Sequence, residues 1–345
     1  MKALTLTAIG GLEHLELQDV PAPVLRGPAD VLVRVHAAAL NRLDLFVING
    51  LPGIRYVFPH IVGADGAGVV EQVGPSVTSV NPGDRVFINP GISCGSCEWC
   101  TAGEHPLCAE FGVLGEHRPG TIAEYVVVPA RNLAAVPAAM SWAKAAAFPL
   151  ATLTAWRMLT SRARLQQGET VLIWGIGGGV SLAALRIAKE AGARAIVTSG
   201  SDVKLARARE LGAYETINHA TTDVAKAVRA LTGRRGADVV VDSVGEKTWE
   251  QSLRSLARMG RLVTCGGTSG PMVTTDVRKL FWYQWSILGS TMGSEGEFRA
   301  ITRLAEAGRL WPEVDKIYPL SEAADAFRRL AEGAQLGKIV IEVAP

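Results

Sequence analysis

The 345-residue sequence has no run of like charges, no low-complexity tract and no internal repeat. Its 35 lysines and arginines nearly balance 33 acidic residues, for a net charge of +2, and both signs are spread along the chain. A nucleic-acid or membrane-surface protein normally gathers its basic residues into a footprint, so neither partner is expected. Nor is there an apolar stretch of the roughly 18 to 20 residues needed to span a bilayer. The run from Val171, VLIWGIGGGVSLAAL, is interrupted by glycines and ends at Arg186. The opening residues, MKALTLTAIGGLEHLEL, alternate like a strand and lack the apolar core of a signal peptide. Together these absences predict a cytoplasmic protein whose thiols stay reduced.

What is present fits two packed domains, since 48% of the residues are apolar and the length exceeds one core. Up to about residue 150 the texture is short strands punctuated by Gly and Pro, such as DVLVRVHAAAL, GVVEQVG, DRVFINP and AEYVVVP. That pattern predicts an antiparallel, barrel-like β domain. After Thr152, apolar strands alternate with amphipathic helices. Val171–Trp174 precedes a helix at Leu182–Ala191, and Ala195–Ser199 precedes Val203–Leu211. A third unit runs from Thr216 through Asp223–Leu231, a fourth pairs Ala237–Asp242 with a helix at Thr248–Met259, and Arg261–Cys265 is the next strand. Regular alternation of this kind predicts an α/β fold with a doubly wound parallel sheet. From about Phe298 the chain returns to helix, strand, helix and strand.

Glycines stand directly between the first parallel strand and its helix. A helix start offers free N–H groups and the positive end of its dipole, and glycine lets a pyrophosphate approach the backbone. The spacing is not a clean G-x-G-x-x-G: Gly175, Gly178 and Ser181 fit a looser small-x-x-Gly-x-x-small form, with Gly177, Gly179 and Val180 beside them. A tight strand–helix turn without a ligand has the same composition, but here the turn opens a series of βα units. Dinucleotide binding is therefore predicted. A NAD site usually carries an acid at the tip of the second strand. Ser199 stands there instead, followed by Lys204, which favours NADP(H) while leaving NAD(H) open through Asp202.

Four of the five cysteines, Cys94, Cys97, Cys100 and Cys108, lie in one loop, CGSCEWCTAGEHPLC. Three thiolates at three-residue steps plus a fourth can close a tetrahedral, structural zinc site with no place left for water. Two disulfides are the alternative, disfavoured in a reducing compartment. Cys265 stands apart and reads as a buried small residue at a strand end.

With these motifs in place, the chain resembles the medium-chain dehydrogenase/reductases over nearly all its length. PHIVGADGAGVVEQVG, NPGDRVF, the four-cysteine loop, GTIAEYVVVP, AAAFPLATLTAW, the glycine turn, GADVVVDSVG and SILGSTM carry the resemblance. It implies a GroES-like catalytic domain over residues 1–152, a Rossmann cofactor domain over 153–291, a return to the catalytic domain over 292–345, and a cleft between them. It also implies a homodimer or homotetramer, paired through the strand around Ser286–Ser290. Backbone contacts to the nicotinamide are expected at Cys265, Gly266 and Gly267 and at Leu288, Gly289 and Ser290.

Zinc alcohol dehydrogenases of this family hold a catalytic metal with an early Cys, a His in a G-H-E triplet, and a Cys or acid before the cofactor domain. This sequence has Asn41, Ala64 and Leu150 at those places, so only the structural zinc is expected. LNRLDLFVINGLPG and VDSVGEKTWEQSL are closer to the quinone oxidoreductases. Without a Lewis acid, hydride delivery to a carbonyl carbon leaves a strongly basic oxyanion. Delivery to the β-carbon of an enone, or to a quinone, gives a delocalised anion that hydrogen-bond donors can hold. The sequence thus predicts an NADPH-dependent reductase of activated C=C bonds or quinones, acting on a small molecule. Asn41, Asp44, Asp65 and Thr152 are the catalytic candidates, with Thr152 also facing the cofactor, and His117 is a possible proton source. The Asn41 amide could point at the substrate oxygen or, more plainly, hydrogen-bond its own backbone in a turn; Asp65 also reads as a turn residue, Asp44 as orienting Arg42 or neighbouring backbone, and His117 as a surface-loop histidine. An alcohol or aldehyde dehydrogenase, and a non-enzymatic NADP-binding protein, are the competing readings.

Overall fold

Residues 1–344 are described by the computed structural model, and they form two compact units. One is Met1–Ala151 with the chain from Gly293 onward; the other is Thr152–Met292.

The spine of the first unit is the strand Asp30–Ala39, whose burial alternates along DVLVRVH as a period of two requires. One edge pairs antiparallel with Asp65–Val73. The other edge is shared, with Tyr125–Pro129 against Asp30–Arg34 and Lys338–Glu342 against Ala37–Ala39. Beyond Asp65–Val73 the sheet continues through Arg85–Ile88 to Leu133–Ala135, and beyond Lys338–Glu342 it gains Val314–Pro319 as a parallel partner. The chain's last strand therefore lies beside a strand 300 residues earlier in sequence. Valines at 31, 33, 35, 70 and 126 fill one core cluster, and Leu6, Leu40, Ile48, Phe327 and Ile341 belong to another.

The second unit is a six-stranded, all-parallel sheet in the order Glu215–Asn218, Arg194–Ser199, Thr170–Ile173, Ala237–Val241, Leu256–Thr264, Ser286–Gly289. Numbered within the unit, that order is 3-2-1-4-5-6, the doubly wound arrangement. All five residues of Ala237–Val241 are buried, as a strand covered on both faces must be. The connecting helices include Gly179–Glu190, Asp202–Glu210, Val224–Leu231 and Trp249–Ser255.

One expected element differs. The helix predicted over Thr248–Met259 ends at Ser255, and Leu256–Thr264 is strand. Leu256 pairs with Ala237 across the sheet, and both Leu256 and Ala257 are buried. Sheet pairing overrides the helical pattern there, and Met259, at φ 58, marks the irregular step before Arg261 rejoins the ladder opposite Val239. The strand expected at Arg261–Cys265 is correspondingly longer and stops one residue earlier. Cys265 is partly exposed, not buried. Among the described residues, no helix is long and apolar enough to cross a membrane.

Candidate functional site

The glycine turn has the form a pyrophosphate site needs. Gly175 takes φ 68 and Gly177 φ 139, a region closed to most side chains, and Gly178 is the N-cap of the helix Gly179–Glu190. A Cβ built on Gly175 would meet nothing within 4 Å, so the turn presents an open backbone face. Ser181 locks the loop from inside, its hydroxyl donating to the carbonyls of Gly175 (2.9 Å) and Gly178 (3.0 Å). Gly175 N–H donates to Thr198 Oγ1 on the second strand at 3.1 Å. Val180 follows in the first helical turn, whose N–H groups have no partner within the helix.

At the tip of the second strand, Ser199 is buried and its hydroxyl accepts from Ser201 N–H at 3.1 Å. Ser201 caps the next helix by accepting from Lys204 N–H. Asp202, the residue that left NAD open, accepts from Asn218 Nδ2 at 2.7 Å and so is held toward the third strand. Farther along the sheet, Thr264 Oγ1 donates to Gly266 O at 2.9 Å. Ser290 N–H extends the ladder to Thr264 O, and its buried hydroxyl lacks a partner. Cβ atoms on Gly266 or Gly289 would meet almost nothing, whereas Gly267 is close to the Gly270 backbone. Thr152 is buried in the helix Pro149–Trp156. Sequence reasoning passed over Asp242, a fully buried carboxylate at the end of Ala237–Val241. Its oxygens accept from Val244 N–H, Gly245 N–H, Thr248 Oγ1 and Ser252 Oγ, which fixes the loop after that strand.

In the other unit the three catalytic candidates of the first 65 residues come together. Asn41 caps the helix Arg42–Asn49 in a capping box with Asp44, whose Oδ2 accepts from Asn41 N–H at 2.6 Å. The Asn41 amide donates to Asp65 Oδ2 (3.0 Å) and to Ala39 O (3.3 Å), so both of its hydrogens are engaged within the protein. Asp65 Oδ1 accepts from Leu150 N–H at 2.7 Å. The residue that completes the cluster was not foreseen. Lys338 Nζ donates to Asn41 Oδ1 at 2.5 Å and to Asp65 Oδ2 at 2.8 Å, with the ammonium side chain 4% exposed and Asp65 fully buried. Burial pushes the Asp44 carboxyl up to about 7, against the Asn41 N–H that favours its charged form. His117 stays apart from the cluster: its Nδ1 accepts from Val113 N–H at 3.3 Å and faces Glu116 at 3.8 Å.

The four loop cysteines converge, their sulfurs all within 4.8 Å of one another, with 3.6 Å between Cys97 and Cys100 and 3.9 Å between Cys94 and Cys100. Tetrahedral Zn–S bonds near 2.3 Å require sulfurs about 3.8 Å apart. N–H groups of Ser96 and Cys97 point at Cys94 Sγ, and those of Cys94 and Glu110 at Cys108 Sγ, the pattern that stabilises thiolates. The donation from Ser96, then from Cys97, brings the Cys94 thiol down to about 6. The loop is tied down by Arg131, which donates to Ser93 O, and by Glu295, which meets both His105 and Arg131 at 3.3 Å.

Residues 27–138 match the family described as alcohol dehydrogenase GroES-like domain, and residues 179–307 match that described as zinc-binding dehydrogenase. The chain is 34% identical to a zinc-type alcohol dehydrogenase-like protein of Schizosaccharomyces pombe, over 97% of each chain. It is 34% identical to a quinone oxidoreductase of Pseudomonas aeruginosa, over 99% of each. Among solved structures, one titled NAD-dependent alcohol dehydrogenase superposes with a TM-score of 0.95 at 48% identity, covering 100% of both chains.

Proposed function

The chain belongs to the medium-chain dehydrogenase/reductase family and is an NAD(P)-dependent oxidoreductase; from that premise we propose that it reduces activated C=C bonds or quinones with NADPH and without a catalytic metal. One observation carries this reading: a lysine ammonium sits against Asn41 and Asp65. At the three places where zinc alcohol dehydrogenases hold the metal, Ala64 and Leu150 offer no ligand atom, and Asn41 Oδ1 already accepts from Lys338. Asp65 Oδ2 accepts from the same ammonium. A divalent ion there would lack soft ligands and would face a like charge. The donor set therefore does not fit a catalytic zinc, whereas the Cys94, Cys97, Cys100 and Cys108 set fits a structural one.

A bound nicotinamide would supply the hydride, with its pyrophosphate at the start of the helix Gly179–Glu190. The chain's own residues hold the substrate's developing charge. Lys338 has three N–H donors, and Asn41 and Asp65 take two of them. The third is free to meet an enolate or hydroquinone oxygen. Asn41, Asp44 and Asp65 then act as positioning residues: Asp44 fixes the Asn41 backbone, and Asn41 and Asp65 aim the ammonium. Thr152 and the glycines at 175, 177, 178 and 179 serve the cofactor. Ser199 and Lys204, with Asp202 drawn to Asn218, support NADP(H). We assign the protein to the cytoplasm, as a homodimer or homotetramer joined at the edge strand Ser286–Gly289, near which Phe281 and Trp282 are exposed apolar residues.

A steady-state screen of enones, quinones, alcohols and aldehydes with both nicotinamides tests the reading. Expected are turnover of enones or quinones and a kcat/KM at least tenfold higher with NADPH than with NADH. The relatives titled alcohol dehydrogenase favour a second reading, NAD-linked alcohol oxidation. Fast alcohol oxidation with NAD, and no enone or quinone turnover, would establish it in place of the first.

A further inference from the structure

The parallel sheet carries a second charged feature at the end opposite the glycine turn. A groove of about 1020 Å³ opens where the strands Ala237–Val241, Leu256–Thr264 and Ser286–Gly289 begin. Seven of its lining side chains are lysine or arginine and none is acidic, in a chain whose net charge is only +2. Three of the seven have structural employment. Arg229 spends its guanidinium on the carbonyls of Arg234, Arg235, Arg254 and Leu256. Arg235 pairs with Asp238 at 2.6 Å, and Arg254 reaches Asp223 at 3.3 Å and Glu250 at 3.9 Å. The other four, Lys226, Arg234, Arg258 and Lys279, make no ion pair within 4 Å among the described residues; Arg258 lies over the Tyr283 ring at 5.1 Å. The nearby acids stand outside the lining or are spoken for: Asp223 by Arg254, Asp276 by Arg278.

Four cations lining one groove repel each other; Lys226 and Lys279 lie near Asp223 and Asp276, but those carboxylates are already bonded to Arg254 and Arg278. Helix C-termini explain Arg229 and Lys279, each in the last turn of its helix, but Arg258 lies in the strand Leu256–Thr264 and Arg234 between Val224–Leu231 and Ala237–Val241. We infer that this groove is a binding site for a small oligophosphate-bearing anion, distinct from the dinucleotide site. Guanidinium forks and ammonium point charges together suit a multiply charged phosphate better than a single carboxylate. The chain's net charge of +2, with both signs spread along it, makes a nucleic-acid strand an unexpected occupant. A free oligophosphate and a nucleoside triphosphate share the recognised chemistry. Tyr283 has one face under Arg258 and is stacked on Trp285 at 5.2 Å, so the phosphates are expected to dominate.

The test is calorimetric titration of the intact enzyme, saturated with NADPH, with inorganic tripolyphosphate and separately with ATP, at 50 and 200 mM salt, where the Debye length is about 14 and about 7 Å. Binding of tripolyphosphate that weakens at least tenfold in Arg234→Ala/Arg258→Ala/Lys279→Ala, with unchanged KM for the nicotinamide, supports the site. ATP binding as tightly as tripolyphosphate identifies phosphate recognition; much tighter ATP binding shows that the base is read as well. No binding to the NADPH-saturated enzyme, or binding unchanged in the triple variant, overturns the inference. Should the triple variant fail to fold, the single exposed-site changes Lys226→Glu and Lys279→Glu must each weaken binding, and an unaltered affinity in both is equally decisive against it.

Discussion

A Lys338→Met substitution keeps most of the apolar stem and deletes one charge from a buried cluster. In the native protein Asp65 is completely buried and satisfied by Lys338 Nζ, Asn41 Nδ2 and Leu150 N–H. The substitution leaves that carboxylate with two neutral donors and no counter-charge, and it also strips Asn41 Oδ1 of its partner. Removing one side of a buried ion pair costs about 3–5 kcal/mol, whereas removing both sides often costs little. The unit containing residues 1–151 should therefore lose about 3–5 kcal/mol in Lys338→Met. The double variant Asp65→Asn/Lys338→Met should recover part of that loss, with a coupling of about 1–3 kcal/mol. Urea unfolding at pH 7, followed by a probe specific to this unit so that the transition is a single one, reads both numbers. Activity supplies the second readout: if the ammonium acts on substrate charge as proposed, kcat should fall more than the KM of the nicotinamide rises. A single variant within 1 kcal/mol of wild type, or a double variant whose loss is the plain sum, would refute the pairing argument.

Metal analysis of the purified protein should find one zinc per chain, and Cys100→Ser should lose it and make residues 94–108 sensitive to protease; two tightly held zincs would return a catalytic metal to the site. Asp44 sets a pH dependence. A carboxyl raised from 3.8 to about 7 binds its proton more tightly folded than unfolded. Stability must therefore fall as pH climbs through that window, by about 4 kcal/mol at 1.36 kcal/mol per pH unit. Asp44→Asn should flatten the slope between pH 5 and 7, and an unchanged slope in urea titrations assigns it elsewhere. Desolvation pushes the Cys265 thiol up to about 12, so iodoacetamide at pH 8 should modify it far more slowly than a free thiol despite its partial exposure. Trp282→Glu, placed on an exposed apolar side chain beside the edge strand, should shift sedimentation toward the monomer if that edge joins subunits.

What could be read in the sequence was local. The four cysteines declare their site through spacing alone, because a loop of fifteen residues must fold back on itself to bring them together. The glycine turn is legible for the same reason: strand, positive-φ glycines and helix follow within about ten residues. The Lys338 cluster was not legible, since its partners stand 297 and 273 residues away and meet it only because Lys338–Glu342 pairs with Ala37–Ala39. A sequence signal was nonetheless present, in the lysine that stands directly before the apolar run Ile339–Ile341 of the strand KIVIE. A charged residue at the buried end of such a strand needs a counter-charge, and Asp65 was already a candidate. The amide of Asn41 was expected to face the substrate or its own backbone. Its carbonyl oxygen and both hydrogens are instead tied to Lys338, Asp65 and Ala39. Leu256–Met259 was misread because an apolar run after a helix fits either continued helix or a new strand, and only the neighbouring strand decides.

On the proposed reading a lysine stands where zinc alcohol dehydrogenases hold the metal, and that limits which reactions the site can favour. Zinc brings two positive charges and an open coordination position, so it can hold an alkoxide directly. Lys338 brings one charge, and Asp65, 2.8 Å away, brings the opposite one, so that ion pair is neutral in sum. What it offers a substrate oxygen is a directed N–H dipole in a buried setting, not Lewis acidity. A directed donor is sufficient only when the substrate spreads its own charge, which enolates and hydroquinone anions do and simple alkoxides do not. Rates should then track the electron demand of the acceptor. Across a series of enones with increasingly electron-withdrawing substituents, kcat/KM should rise steeply in the wild type and more steeply still in Lys338→Met, where the substrate must carry the whole charge. Equal slopes in the two proteins would mean that the ammonium never meets the reacting oxygen, and the cluster would be structural.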